Sequence, residues 1–416
     1  DDNFDIVFSN STRFDETVDD DNFPCDDIEA IENWIRGEIK NIQEKGTYII
    51  KAINFSTHGA TLVYLDKKGD RITPLYNYLK PLDHVDFEDL YKRFGGVDEF
   101  SRKTASPAYG MLNAGLQMYW LKYFKPDYWE RVETILHYPQ YLSYLFTKNV
   151  RADFTSIGAH TAIWDFDKMK YHDWLSAENI DLPTPTNGKE AIMAKVNGEG
   201  IAIGSGLHDS SASIIPLLKQ NDGNEFVLLS TGTWIISMNP FSRDTLTQHQ
   251  LANNCLCFMT PDKQQVKSSM QFLGKIHEVY VEAFSTYFKV DIDTHLYLTL
   301  DEALCIKVNS DPTMIFLDEK IDTEFEIKDF LLQRFENYKS AYYQLLFEMS
   351  KKVVDAIDLI VDENNNLKDI YISGGFNRNE IFIHFIKLFR PDIVVKIPKA
   401  KNESALGAAL LMKDYL

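Results

Sequence analysis

The spacing of apolar positions predicts alternating helices and strands along the whole chain. Ile28, Ile31, Ile35, Ile39 and Ile42 recur at three- and four-residue steps with Trp34 beside them, the period of a helix with one buried face, and Asp26-Asp27 offers a cap in front. Residues 48–66, YIIKAINFSTHGATLVYLD, read as two β-rich runs interrupted by Ser56-Thr57-His58-Gly59, and the KKGD that follows supplies a turn. Segments 113–132 and 136–147 carry aromatic stripes at helical spacing and are expected to be core helices. After the Pro- and Thr-rich stretch 181–190, strand patterns return at 200–203 and in 225–240, separated by the polar, turn-rich KQNDGNE. The remainder predicts a long helix over 338–361, then strand, turn and helix over 368–389, a short strand in DIVVKIP and a closing helix in ESALGAALLMKDY. This alternation predicts an α/β fold of two domains facing a cleft, residues 1–218 and 219–416, divided within KQNDGNE.

Composition narrows the class. The 416 residues are 44% hydrophobic, enough for two cores. Against 43 basic residues stand 62 acidic ones, a formal charge of −19, which argues against nucleic acid as a partner. No apolar run approaches the ~18 residues of a membrane span, and the opening DDNFD has no leader character, so a membrane is not expected as a partner and a cytoplasmic location is. Four cysteines are too few for a disulfide scaffold. Cys255-Leu-Cys257 has no second Cys or His pair at ligand spacing, so structural thiols and no metal site are expected.

Candidate chemistry sits at strand ends. A Walker-type Gly-x-x-x-x-Gly-Lys-[Ser/Thr] is absent, and Gly198-Glu-Gly200 and Gly204-Ser-Gly206 both lack the third glycine of a dinucleotide fingerprint. Ser230-Thr231-Gly232-Thr233 follows an apolar strand and offers hydroxyls and backbone N–H groups to an oxyanion, or is simply the tip of a hairpin. Ser373-Gly374-Gly375-Phe376-Asn377-Arg378-Asn379 joins a strand to a helix; it could receive a ligand at the helix start or be a tight turn with an Asn cap. In GSGLHDSSAS, Asp209 stands among small residues after an apolar strand, room enough for a substrate to reach a general base, or else it caps the helix that follows. His208 beside it could bond a substrate hydroxyl or fill a polar gap in the core.

The order STHG, HDSSAS, LSTGTW, SGGFNRNE and NESALGAALL resembles the FGGY family of carbohydrate kinases, and residues 116–147 look like that family's Trp-Leu-Lys…Pro…Leu-Thr-Gly stretch. Within the family, the His-Asp form and the Gly-Thr-Trp stretch look most like the rhamnulose kinases. The resemblance implies two actin-like ATPase (ribonuclease H-like) domains, an N-terminal one for the sugar and a C-terminal one for the nucleotide, closing over a small sugar and ATP with Mg²⁺. The implied acceptor is a ketose of the rhamnulose, fuculose or xylulose type. Asp209 then matches the base that deprotonates a sugar hydroxyl for in-line attack on the γ-phosphate, with His58, Gly59, His208 and Ser210 on the sugar side. Thr231, Gly232 and Thr233 match a phosphate loop; Gly374, Gly375 and Asn379 match the adenosine segment; Glu403 and Gly407 lie on the closing helix, where Gly and Ala also permit close packing.

The resemblance is compatible with a homodimer. It leaves a catalytically silent relative that binds sugar or nucleotide as the rival. Ser56-Thr57 and YNYLKP (76–81) depart from the family's Gln-Met and Trp-x-Asp-x-Arg, and Phe376 from its third glycine. The family opens with a strand-turn-strand carrying an Asp and a Gly-rich first phosphate loop, whereas this sequence has no glycine before Gly37. The given sequence is therefore expected to lack that segment, and a molecule without it to bind ATP and Mg²⁺ weakly.

Overall fold

The computed structural model describes residues 1–82, 85–220, 223–317, 329–362, 366–398 and 402–416. A short hairpin, β1 (Glu16–Val18) with β2 (Pro24–Asp26), precedes helix α1 (Ile28–Lys45). Asp27 caps α1 by accepting the Ala30 N–H, as the sequence predicts. The isoleucine face is less covered than its period suggests: Ile28 and Ile39 are buried, while Ile31, Ile35 and Ile42 are half-buried.

Strands β3 (Ala52–Ile53) and β4 (Ser56–Thr57) are two pieces of one extended run, followed by β5 (Leu62–Leu65). Of the core helix expected over 113–132, Ala114–Phe124 forms α2; it ends ahead of Pro126, which starts a separate single turn to Trp129. The expected helix over 136–147 begins later than its pattern suggests. Leu136 and His137 belong to β6 (Thr134–His137), because they pair with Val63 and Leu62 of β5, and only α3 (Tyr138–Thr147) is helical. A single-turn helix α4 (Phe154–Ile157) follows. Next come the hairpin of β7 (Ile192–Val196) and β8 (Glu199–Ile203), the short β9 (Leu207–His208) and helix α5 (Asp209–Gln220). β8 runs parallel to β3, and β9 runs parallel to β4.

The remaining strands, β10 (Glu225–Thr231), β11 (Ile235–Asn239), β12 (Cys255–Met259), β13 (Gln265–Gln271), β14 (Leu367–Gly374) and β15 (Val394–Lys396), build one six-stranded sheet in the order β12-β13-β11-β10-β14-β15. Its β10, β14 and β15 are parallel neighbours. Helices α6 (Leu273–Phe288), α7 (Tyr338–Ile360) and α8 (Glu380–Phe389) pack with Val227 and Leu229 of β10. On the opposite side Phe226 and Leu228 meet Ile214 and Leu217 of α5. Both faces of β10 are thus buried, which is why its sequence is a continuous apolar run and does not alternate. The closing helix α9 (Glu403–Leu410) packs on α5.

The segment 219–225 expected to divide the chain includes residues 221 and 222, which lie outside the described residues. All four cysteines are free and buried, and burial pushes the Cys255 and Cys257 thiols in β12 up to about 12.

Candidate functional site

Two pairs of parallel strands each present their C-terminal ends together, the place where α/β sheets gather ligands. In the first pair Leu207 lies opposite Ser56 and His208 opposite Thr57, so His58-Gly59 and Asp209 leave neighbouring strand ends side by side. Asp209 is the first residue of α5 and its side chain is 46% exposed. Its Oδ1 accepts the Ser210 N–H at 2.6 Å and the Ser210 hydroxyl at 3.3 Å. The carboxylate therefore stands open at the strand end with one oxygen steadied, as a base awaiting a substrate hydroxyl requires.

His208 is buried, its Nε2 3.4 Å from Asp209 Oδ1 and its Nδ1 3.2 Å from Ser211 Oγ. Burial lowers its pKa; the Asp209 charge opposes that shift and His58 adds to it. A neutral His208 gives Asp209 a nearby dipole without the neighbouring cation that would weaken it as a base. Gly59 packs closely here: a Cβ at that position would meet His208 Cδ2 at 3.2 Å and the Ala159 Cβ at 3.2 Å, so His208 would have to give by a few tenths of an ångström.

His58 shares a hydrogen bond with Thr61 Oγ1 at 3.1 Å and lies between the rings of Tyr78 and Tyr138, with centroids at 5.5 and 5.6 Å. Burial lowers its pKa, against the pull of Asp26 and Asp209. Two further histidines stand behind the site. His160, 6.5 Å from the His208 ring, and His137 are both driven down to about 4, chiefly by burial and then by His208. An open cavity of about 870 Å³, lined by Tyr78, Leu82, Tyr91, Tyr109 and Leu112 among others, adjoins this side through Tyr78 but does not reach Asp209. Lys80, in YNYLKP, lines this cavity too, and its Nζ pairs with the buried Asp19 and the more exposed Asp21, both at 2.5 Å. Asp19, Asp20 and Asp21 form the one acidic group among the described residues tight enough to share a cation, and Lys80 and Lys125 already pair with it.

The second pair of strand ends belongs to β10 and β14, where Thr231 lies opposite Gly374. Thr231 Oγ1 donates to the Ser373 carbonyl and accepts the Phe376 N–H at 3.0 Å, tying the two turns together. Gly374 adopts φ +82°, and a Cβ there would sit 2.0 Å from the Thr231 carbonyl oxygen. Gly232, Thr233, Gly374 and Gly375 are exposed. Thr231-Gly232-Thr233 is both hairpin tip and candidate oxyanion loop, since it joins β10 to the antiparallel β11. Asn379 caps α8 through the Phe382 N–H at 3.0 Å and gives its side-chain N–H to Tyr342 Oη at 3.0 Å, so its polar atoms serve the fold. Gly407 on α9 faces α5, where a Cβ would lie 1.9 Å from the Ala212 carbonyl oxygen.

Sequence reasoning missed Tyr78, Tyr138, Ser211, Thr155 and His160, each brought in by tertiary packing. Only Asp153-Phe-Thr155-Ser156 carried a local signal, the acid-first pattern of a capped turn.

A family model described as the FGGY family of carbohydrate kinases, N-terminal domain, matches residues 1–216. Rhamnulokinase of Klebsiella pneumoniae (strain 342) is 24% identical over 250 residues, 56% of this chain and 49% of that protein. Rhamnulokinase of Oceanobacillus iheyensis is 24% identical over 233 residues, 53% and 48% respectively. The chain thus spans about half the length of the curated relatives it matches. Among solved structures, a carbohydrate kinase from Novosphingobium aromaticivorans superposes with TM-score 0.76 at 20% identity over 97% of this chain and 88% of that one. A ligand-bound xylulose kinase from Lactobacillus acidophilus gives TM-score 0.78 at 15% identity over 100% and 86%. These likenesses show the α/β architecture to be that of sugar kinases, the actin-like ATPase fold. With more than half its length matched by the family model and its open carboxylate and glycine turns at two parallel strand ends, the chain belongs to the FGGY family of carbohydrate kinases.

Proposed function

We propose that this protein is an ATP-dependent sugar kinase of the cytoplasm that phosphorylates a small ketose of the rhamnulose, fuculose or xylulose type. The observation that carries this is the half-exposed Asp209 carboxylate beside His58-Gly59 at the ends of two parallel strands. Asp209 accepts the proton of the attacking sugar hydroxyl, and the small side chains of Ser210 and Ser211 leave the acceptor room to approach it. His58 and His208, both held toward the neutral form by burial, offer ring nitrogens to sugar hydroxyls without placing a cation beside the base. The names of the relatives, rhamnulokinases by sequence and a xylulose kinase by structure, favour a ketose. We further propose that residues 1–218 serve the sugar and 219–416 the nucleotide.

The exposed turns fit a nucleotide: the Gly374 backbone lies against the Thr231 carbonyl where a side chain would intrude, and Gly232 and Gly375 are open beside it. Thr231, Gly232 and Thr233 would hold its phosphates and Gly374 and Gly375 its adenosine end, while Asn379 shapes the helix start below them. Mg²⁺ fits as a phosphate-bound ion that keeps several waters, since Asp209 is the acidic side chain open at these strand ends. ATP with Mg²⁺ supplies the phosphoryl group and screens its charge; the chain supplies alignment and the base.

The test is ATP consumption by the full chain over ketoses, aldoses and polyols, with Asp209→Asn alongside. Turnover on a ketose that drops by ~10²–10⁴ in Asp209→Asn supports the proposal. No turnover on any sugar, with sugar or nucleotide binding retained, identifies a silent binding relative instead.

A further inference from the structure

Asp153 is fully buried, and the site as described gives it no part. Its Oδ1 accepts the Thr155 N–H at 2.8 Å, the Ser156 N–H at 3.2 Å and the Thr155 hydroxyl, while its Oδ2 has no partner. A neutral Asn or Ser would cap the single turn of α4 as well. A buried carboxylate with an unpartnered oxygen costs more than that cap requires. What the acceptor oxygen adds is direction: with its proton committed to Asp153 Oδ1, the Thr155 hydroxyl turns a lone pair toward the backbone N–H of His208, 3.0 Å away.

That N–H lies on the open edge of β9. Leu207 N–H already bonds the Phe55 carbonyl on the β4 side, so the alternation of a strand points the His208 N–H the other way, where Thr155 takes the place of a further strand. The arrangement is tightly shut. A Cβ at Gly188 would meet Asp153 Oδ2 at 3.1 Å and Leu207 Cδ2 at 3.3 Å, so carboxylate and strand lie against the same glycine. Burial pushes the Asp153 carboxyl up to about 7, against the pull of the Thr155 hydroxyl and the turn N–H groups.

We propose that Asp153 and Thr155 are positioning residues for Asp209: the carboxylate orients the Thr155 hydroxyl, which holds the His208 N–H and so fixes the direction in which Asp209 leaves its strand. This rests on the kinase function proposed above. Asp209 is half-exposed and its carboxylate is steadied by its own chain neighbours His208 and Ser210, so its aim follows the backbone there. A misplacement of the order of 1 Å at a reacting group costs roughly 10²-fold in rate.

The test uses Thr155→Val, which keeps the shape and removes the hydroxyl, and Thr155→Ser, which restores it. On the best sugar of the panel, Thr155→Val is expected to lower kcat about 30-fold with the KM for ATP within about twofold. Thr155→Ser is expected to return kcat to within about threefold of the parent. Amide hydrogen exchange in the peptide covering residues 204–209 should accelerate in the Val variant and not in the Ser variant. A folded Thr155→Val protein whose melting temperature falls while kcat stays within about threefold would make the link structural only and overturn the proposal. If Thr155→Val does not fold, Thr155→Ala, which removes the same hydroxyl, takes its place: a lowered kcat with unchanged KM for ATP supports the proposal, and an unchanged kcat overturns it. If the parent chain turns over no sugar, the kinase function fails on its own account. The exchange measurement still decides the link, with unchanged exchange in Thr155→Val overturning it.

Discussion

The contact between α5 and α9 yields a prediction whose sign is set by competing terms. Pro216 inside α5 has no N–H to give to Ala212, the residue four before it, so the Ala212 carbonyl is released from the helix ladder. That carbonyl faces Gly407 of α9, where a Cβ would lie 1.9 Å from the oxygen, about 1.5 Å closer than the ~3.4 Å at which carbon and oxygen touch. Gly407→Ala gains ~1 kcal/mol of helix propensity. Against this, overpacking costs ~1–3 kcal/mol, and the upper end applies because the struck atom is backbone and has no rotamer to escape into. The Cα–H contact to the carbonyl is lost as well, ~0.5 kcal/mol. The net expectation is ~2.5 kcal/mol of destabilisation. The control is Gly37→Ala in α1, where a Cβ meets nothing within 4 Å and the propensity gain of ~0.5–1 kcal/mol stands alone. Urea midpoints of the two variants should therefore move in opposite directions at unchanged slope. If both variants stabilise, the helices have room to part and the close approach constrains nothing.

Gly374→Ala, with its φ of +82° and a Cβ 2.0 Å from the Thr231 carbonyl, should weaken ATP binding at least about tenfold in calorimetric titration; unchanged affinity would remove this turn from the nucleotide site. His137 is buried with Nε2 unpartnered and its pKa is lowered to about 4, so between that value and about 6.5 the unfolded chain binds the extra proton and stability falls as pH falls. His137→Leu should flatten the loss between pH 6 and 4.5 by up to ~1.4 kcal/mol per pH unit, read from urea midpoints at each pH. Glu348 of α7 accepts the N–H groups of Ile315, Phe316 and Leu317 at 2.7, 2.8 and 2.7 Å, so Glu348→Gln should destabilise by ~1–3 kcal/mol; an unshifted midpoint would refute that.

Much of the site's scaffold was legible because it is written locally. The apolar run ending in Gly374-Gly375 and the Asn before EIFIHF foretold strand, turn and capped helix, and Asn379 does cap α8. Asp209 stands out in the sequence because small residues surround it, and the structure leaves it open at a strand end. The exceptions have a common cause in distant pairing. Leu136 and His137 sit within an aromatic stripe of helical period, yet β5 recruits them as a strand, and no periodicity reports a partner so far back in sequence. Thr155 reads as an ordinary residue of a capped turn until β9 arrives to present the His208 N–H. The helical period overstates the burial of α1 for the complementary reason: period shows which face is apolar, not what covers it.

Asn54 ties the first strand-end site to the closing helix. Its Oδ1 accepts the N–H groups of Phe55 and Gly206, and its Nδ2 donates to the Ala408 carbonyl of α9 at 2.9 Å. One amide thus joins the strand run that ends at His58, the turn that delivers His208-Asp209, and the closing helix. It uses both its acceptor and its donor, so a rotation that reversed oxygen and nitrogen would break all three bonds. Gly204 reserves the space, since a Cβ there would meet the Asn54 amide at 2.4 Å. The start of α5 is therefore held at three points: Thr155 on the outer edge of β9, Asn54 at the turn before it, and Gly407 against the helix body. Changes at the three points should differ in kind. Loss of Thr155 Oγ1 frees only the strand edge, whereas Gly407→Ala displaces the whole helix and should lower stability and kcat together.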